Sequence, residues 1–328
     1  MSSASDTEWA SRLRRGLERG DLSLSYQPKV SVASGAVTGI EAVSRWHDEA
    51  LGEVEPSQFV PVAERCGVID ELTEWVLRSA LRQWVEWREQ GIRLRLAVNV
   101  SALSLRDVYL PDHIQRMCMQ QGMPCEYLTI EVTESATQNV VRLLDTLTRF
   151  RLKGFRVSLD DFGTGYSSLV QLRQLPYSEI KIDRCFVQDS ATSRESRLIV
   201  KAIIDLAHGM GLTATAEGVE DAETLALLGE LGCDELQGFL IARPMRGPEF
   251  VDWLLRSGRH AGDSEPGPRR PSFAGPGGRS RCRASVRPEP SPSTSRRRSA
   301  YGEPWASNRS IRSSTTMSCS TPTSATGC

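Results

Sequence analysis

Two adjacent carboxylates close an apolar, β-branched run in the stretch VSLDDFGTGYSSL, residues 157–169. Asp160 and Asp161 repel each other, and a strand end gains nothing from two negative charges side by side. Their pairing therefore points to a bound cation. Further polar groups lie in or at the end of other β-like runs: Glu41, Asn99, Glu131, Lys181, Glu217 and Gln237. One acidic strand end can be a helix cap. Six strands that each bring a polar, mostly ionisable group to the same level have no comparable structural explanation. Carboxylates and one amide are hard oxygen donors, which suit magnesium or manganese and not zinc. Paired divalent ions bridged by a shared aspartate suit in-line displacement at phosphorus.

The elements that must position these groups are visible as an alternation. The β-like runs are LSLSYQPKV, VTGIEAV, LRLAVNVS, YLTIEVTES, FRVSLDD, EIKIDRCFV, LTATAEGVE and DELQGFLIARP. Amphipathic stretches such as IDELTEWVLRSALRQWVEWREQG and ESRLIVKAIIDLAHGMG lie between most of them. Strand–helix alternation argues for a parallel α/β architecture, and eight strands suggest a TIM-like (β/α)8 barrel. The link SVASGAVTG between the first two runs is too short for a helical crossover, so the first strand should run antiparallel to the rest. In such barrels, catalytic groups converge from the C-terminal ends of several strands.

Three regions are expected: a lead-in over 1–20, the folded domain over 21–255 and a tail over 256–328. Up to residue 255 there are 27 Lys and Arg against 37 Asp and Glu; from residue 256 there are 13 against 4. The tail is dominated by Ser, Pro, Arg and Gly, a composition expected to be disordered. The acidic domain, without a helix-turn-helix pattern, does not suit nucleic-acid binding. The polar N-terminus, the lack of a long apolar run and eight cysteines without a CxxC pair lead us to expect a cytoplasmic protein with no membrane segment.

The motifs YQPKV, EAVSRW, SQFVPVAE, NVS, IEVTES, DDFGTGYSSL, IKIDRCFV, AEGVE and QGFLIARPM, in this order from Trp9 to Leu255, resemble the EAL domain family. That resemblance implies a phosphodiesterase specific for cyclic di-GMP, opening it to linear pGpG. Glu41, Asn99, Glu131 and Asp160 would hold one Mg2+ or Mn2+ ion. Asp160 would bridge to a second, held also by Asp161 and, through water, by Glu217. A water between the ions would attack phosphorus, with Lys181 holding it or helping to deprotonate it. Gln27, Val43, Arg45 and Gln237 would face the substrate. Glu134 and Glu220, with Gly163 and Gly165, would support the DDFGTGYSS loop. Ca2+ would inhibit, because it is larger and holds a looser shell. The family also implies a homodimer.

Two letters depart from the family pattern. Val43 stands where Leu is usual, a loss of one methylene worth roughly 0.8 kcal/mol when buried. Phe239 stands where Tyr is usual. Neither removes an expected metal ligand, which favours an enzyme over a catalytically weak or inactive receptor for the same nucleotide.

Overall fold

Alternating strands and helices close into a barrel in the computed structural model, which describes residues 3–134, 140–163 and 169–261. All of them belong to the first of two units into which the chain divides after Ser272. Gly165, Ser167 and Ser168, and all of the Arg-rich tail beyond residue 261, lie outside the described residues.

In chain order the elements are α1 (Ser3–Arg19), β1 (Leu22–Ser31), β2 (Val37–Asp48), β3 (Gly52–Val54), α2 (Pro56–Arg65), α3 (Ile69–Glu89), β4 (Arg95–Asn99), α4 (Leu110–Gln121), β5 (Leu128–Thr133) and α5 (Val140–Leu152). There follow β6 (Arg156–Phe162), α6 (Leu169–Gln174), β7 (Glu179–Ile182), α7 (Arg184–Gln188), α8 (Arg194–Gly209), β8 (Thr213–Ala216), α9 (Ala222–Leu231), β9 (Glu235–Leu236) and α10 (Gly247–Arg256). Eight strands form a ring in the order β1, β9, β8, β7, β6, β5, β4, β2, closed by the β1–β2 pairing. Strand β1 is antiparallel to both of its neighbours, and the remaining ring pairs are parallel. The expected reversed first strand is therefore present. Strand β3 stands outside the ring and extends only the far end of β2.

Several runs are shorter as strands than their composition suggests. EIKIDRCFV is extended only to Ile182, because the Asp183 carboxylate accepts the Cys185 N–H at 2.8 Å and caps α7. DELQGFLIARP is strand only at Glu235 and Leu236. Gly238 then passes so close to Val219 that a Cβ would lie 2.1 Å from its carbonyl oxygen. The lead-in is largely helical: α1 buries Ala10 and Leu13.

Side chains alternate across each ring strand. One set, including Val98, Ile130, Leu159, Ile180 and Ala214, is apolar and buried in the main core. The other set faces the axis and is polar although buried: Lys29, Glu131, Ser158, Glu179, Lys181 and Thr215. Barrels of this kind usually fill the axis with branched apolar side chains. Here charged and hydroxyl side chains take that place.

Trp87 fastens the seam beside β1. Its ring meets Tyr26 edge-on at 4.8 Å and Phe250 at 5.1 Å, and its Nε1 donates to the Gly247 carbonyl at 3.3 Å. One side chain so ties α3 to β1 and α10. Trp87→Ala is expected to cost about 3–5 kcal/mol, read as a lower urea midpoint with an unchanged slope.

Candidate active site

Neighbours on a regular strand point to opposite faces, yet Asp160 and Asp161 point to one site. The β6–β7 register shifts between Leu159 and Phe162, and Asp161 has a φ of 56°, the left-handed region that a non-glycine residue seldom occupies. The bulge brings both carboxylates to Glu217, so that one oxygen from each lies within 4.8 Å of the others. Immediately beyond, the Gly163 N–H donates to Glu134 Oε2 at 3.0 Å. Gly163 has a φ of 108°, and a Cβ there would lie 2.7 Å from the Phe186 ring, so glycine is required.

Lys181 stands at the centre. Its Nζ is 2.6 Å from Glu217, 2.9 Å from Asp160, 3.3 Å from Glu131 and 3.4 Å from Glu41. Asn99 Nδ2 donates to Glu41 Oε1 at 2.8 Å, and Gln237 Nε2 donates to Glu41 Oε2 at 2.7 Å and to Gln27 Oε1 at 3.1 Å. The barrel thus gathers Glu41, Asn99, Glu131, Asp160, Asp161, Lys181, Glu217 and Gln237 at one end.

A cleft of about 390 Å³ opens above them, and Gln27, Val43, Arg45 and Glu220 all line it. Arg45 lies on β2, with Nη1 donating to the Ser44 carbonyl. Glu220 accepts from Gln188 Nε2 at 3.1 Å. Phe239 is half-exposed at the rim, with the Arg243 guanidinium 4.2 Å from its ring centre.

The charges are not balanced by the chain alone. Burial, with the Glu41 and Asp160 charges, pushes Glu131 up to about 7 against the pull of Lys181 and Lys29. Burial, Asp160 and Asp183 push Asp161 up to about 6. Burial and the same carboxylate crowding raise Glu217 well above the ordinary carboxylate range. Burial also acts on Glu41, but Lys181, Lys29 and the amides of Gln237 and Asn99 outweigh it and hold Glu41 at about 2. Gln237 Oε1 is buried with no hydrogen-bond partner. All-oxygen donors, crowded carboxylates and an orphaned amide oxygen fit a hard divalent cation.

Lys29 and Glu179, beneath Glu131, were not singled out from sequence. A lysine and a glutamate inside β-branched runs were the available signal. Arg184 and Gln188 on the cleft wall carry no such signal, because they lie within or directly after a run that reads as strand.

A model of the EAL domain matches residues 10–244. The chain belongs to the EAL domain family. It is 40% identical over 242 residues to the cyclic di-GMP phosphodiesterase PA2567 of Pseudomonas aeruginosa, covering 74% of this chain and 41% of that protein. It is 39% identical over 245 residues to the cyclic di-GMP phosphodiesterase PdeR of Escherichia coli, covering 74% and 37%. This EAL chain thus spans less than half the length of these relatives. The structure of PaMucR phosphodiesterase in its c-di-GMP complex superimposes with a TM-score of 0.71 at 40% identity, covering 74% of this chain and 99% of that one. Among the described residues no helix is long and apolar enough to cross a membrane.

The raised carboxylates fix a stability trend. From the unfolded glutamate value of 4.5 up to about 7, the folded protein binds more protons than the unfolded chain at Glu131, with Asp161 adding to this up to about 6. Stability without divalent metal must therefore fall as pH rises through that window. Thermal unfolding in chelator should give a higher Tm at pH 5 than at pH 8, by about 2–4 °C for each kcal/mol. Excess Mn2+ should raise the Tm most at pH 8.

Proposed function

We propose that this EAL domain is a metal-dependent phosphodiesterase that opens cyclic di-GMP to linear pGpG. The observation that carries this is the ring of carboxylates around Lys181 beneath a cleft lined by Gln27 and Arg45. The names of its relatives supply the substrate.

Glu41, Asn99, Glu131 and Asp160 would hold one Mg2+ or Mn2+ ion, and Asp160, Asp161 and Glu217 a second. When bound, such ions supply Lewis-acid charge and lower the pKa of water. Arg45 presents a planar guanidinium to a phosphate oxygen, and Gln27 is held by Gln237 and by the Ala242 carbonyl. The surrounding carboxylates hold Lys181 as an ammonium: burial would lower its pKa, but Asp160, Glu131, Glu217 and Glu41 outweigh that. Lys181 therefore orients the attacking water as a donor, and Glu217 takes the proton. The water oxygen bonds to phosphorus, one P–O3′ bond breaks, and the freed 3′ oxygen receives the proton that Glu217 took. Glu134 and Gly163 fix the chain just beyond Asp161. Phe239 and Val43 bound the nucleotide at the rim.

A homodimer is supported by exposed Leu169 and Val170 on α6. A cytoplasmic location is supported by the free cysteines Cys66, Cys118, Cys125, Cys185 and Cys233.

Incubating the full chain with cyclic di-GMP and Mg2+ should give pGpG on chromatography, and Glu41→Ala should give none. Lys181→Met should lose on the order of 10²–10⁴-fold in kcat, and Ca2+ in place of Mg2+ should inhibit. Tight binding of intact nucleotide without product would instead make the chain a receptor. Full activity in Ca2+ alone would refute the assigned metal geometry.

A further inference from the structure

The antiparallel β1 sends a second lysine into the axis below Lys181. Lys29 is 3% exposed, and its Nζ lies 2.7 Å from Glu131 Oε1 and 3.3 Å from Glu179 Oε1. Glu179 is itself fixed, accepting from Thr215 Oγ1 at 2.7 Å. Both lysines that reach Glu131 bind the same oxygen, Oε1, while the other, Oε2, accepts from the Asn99 amide at 3.5 Å. The carboxylate is thereby divided, with one oxygen held between the two lysines and the other turned to Asn99. Glu131 is fully buried and cannot take its orientation from solvent.

We propose that Lys29 is a positioning residue for metal binding, which fixes the Glu131 carboxylate so that Oε2 is presented to a divalent cation beside Glu41, Asn99 and Asp160. The inference rests on Glu131 being a metal ligand, as assigned above. Groups of this kind, which orient a ligand without touching the metal, typically contribute 10–100-fold in metal affinity. Charge and position are separated by removing both partners of the floor pair together. The Lys29 charge repels a metal and also helps keep Glu131 ionised, so its loss alone acts in two opposed ways. Loss of Lys29 together with Glu179 leaves the net charge beneath Glu131 unchanged, and weaker binding then reports lost positioning.

The test is Mn2+ binding to the full chain without nucleotide, read from the loss of the free-ion electron paramagnetic resonance signal. The main variant is the double substitution Lys29→Met with Glu179→Gln, which removes one charge of each sign and leaves the net charge of the floor unchanged. The double variant should fold and bind Mn2+ about 10–100-fold more weakly. Wild-type or tighter affinity in the double variant would overturn the inference. Lys29→Arg is the companion variant should the double variant not fold. It keeps the buried charge, but its longer planar guanidinium cannot reproduce the ammonium contact with Oε1. It too should bind more weakly, and unchanged affinity would overturn the inference. Glu131→Gln separates this inference from the parent assignment. Weak binding in Glu131→Gln with normal binding in the Lys29 variants sinks the role of Lys29 alone. Normal binding in Glu131→Gln sinks the assignment of Glu131 as a ligand, and the role of Lys29 with it.

Discussion

Everything at the mouth depends on how carboxylates are kept charged inside a closed barrel. At an effective dielectric of about 20, two unit charges 4 Å apart interact by roughly 4 kcal/mol, so Glu41, Glu131, Asp160 and Glu217 cannot share an interior without cations. Lys181 touches all four, and Lys29 supports Glu131 from below. Two ammonium groups do not suffice, which is why Glu41 stays fully ionised while Glu131 and Glu217 are driven toward their neutral forms. A divalent cation would complete the balance. The same deficit that costs stability in the metal-free protein drives metal binding.

The floor of the barrel obeys the same rule without any metal. Glu179 is held at about 2: burial would raise it, but Lys29, Arg156, Arg95 and the Thr215 hydroxyl outweigh that. Glu235 pairs with Arg95. Charge compensation by the chain is therefore nearly complete at the floor and incomplete at the mouth. Gln237 shows the same gradient, because its amide nitrogen is satisfied twice while its oxygen is orphaned. A native interior tolerates such an atom where a ligand is meant to meet it.

Much of this was legible in the sequence because strand ends and carboxylates report on each other. Glu41, Asn99, Glu131, Asp160, Lys181 and Glu217 each follow or end an apolar run, and the barrel brings them together. The short link before Val37 sufficed to reverse β1. Other features were not legible, because they arise from closure and not from local pattern. Nothing in YQPKV shows that Lys29 points at Glu131, a residue far along the chain. The twist that turns Asp161 inward is a bulge defined by the register against β7, and a sequence pattern carries no register. Runs such as EIKIDRCFV read as strand because apolar, β-branched composition outweighs the single capping aspartate that ends them.

The reversal of β1 has a chemical consequence. An antiparallel first strand pairs Gln27 with Glu41 and Lys29 with Gly39, so one strand serves both levels: Gln27 lines the cleft while Lys29 reaches the floor beneath the carboxylates. Glycine at position 39 leaves that level free of a competing side chain. The strands β4 to β8 run the other way and bring their acids upward, with their C-terminal ends at the mouth. A barrel with every strand parallel would present its first strand's C-terminal end there too, removing the lysine from below the carboxylates. The irregularity at the start of the barrel is thus what allows a carboxylate-rich mouth to stand on a charged, compensated floor.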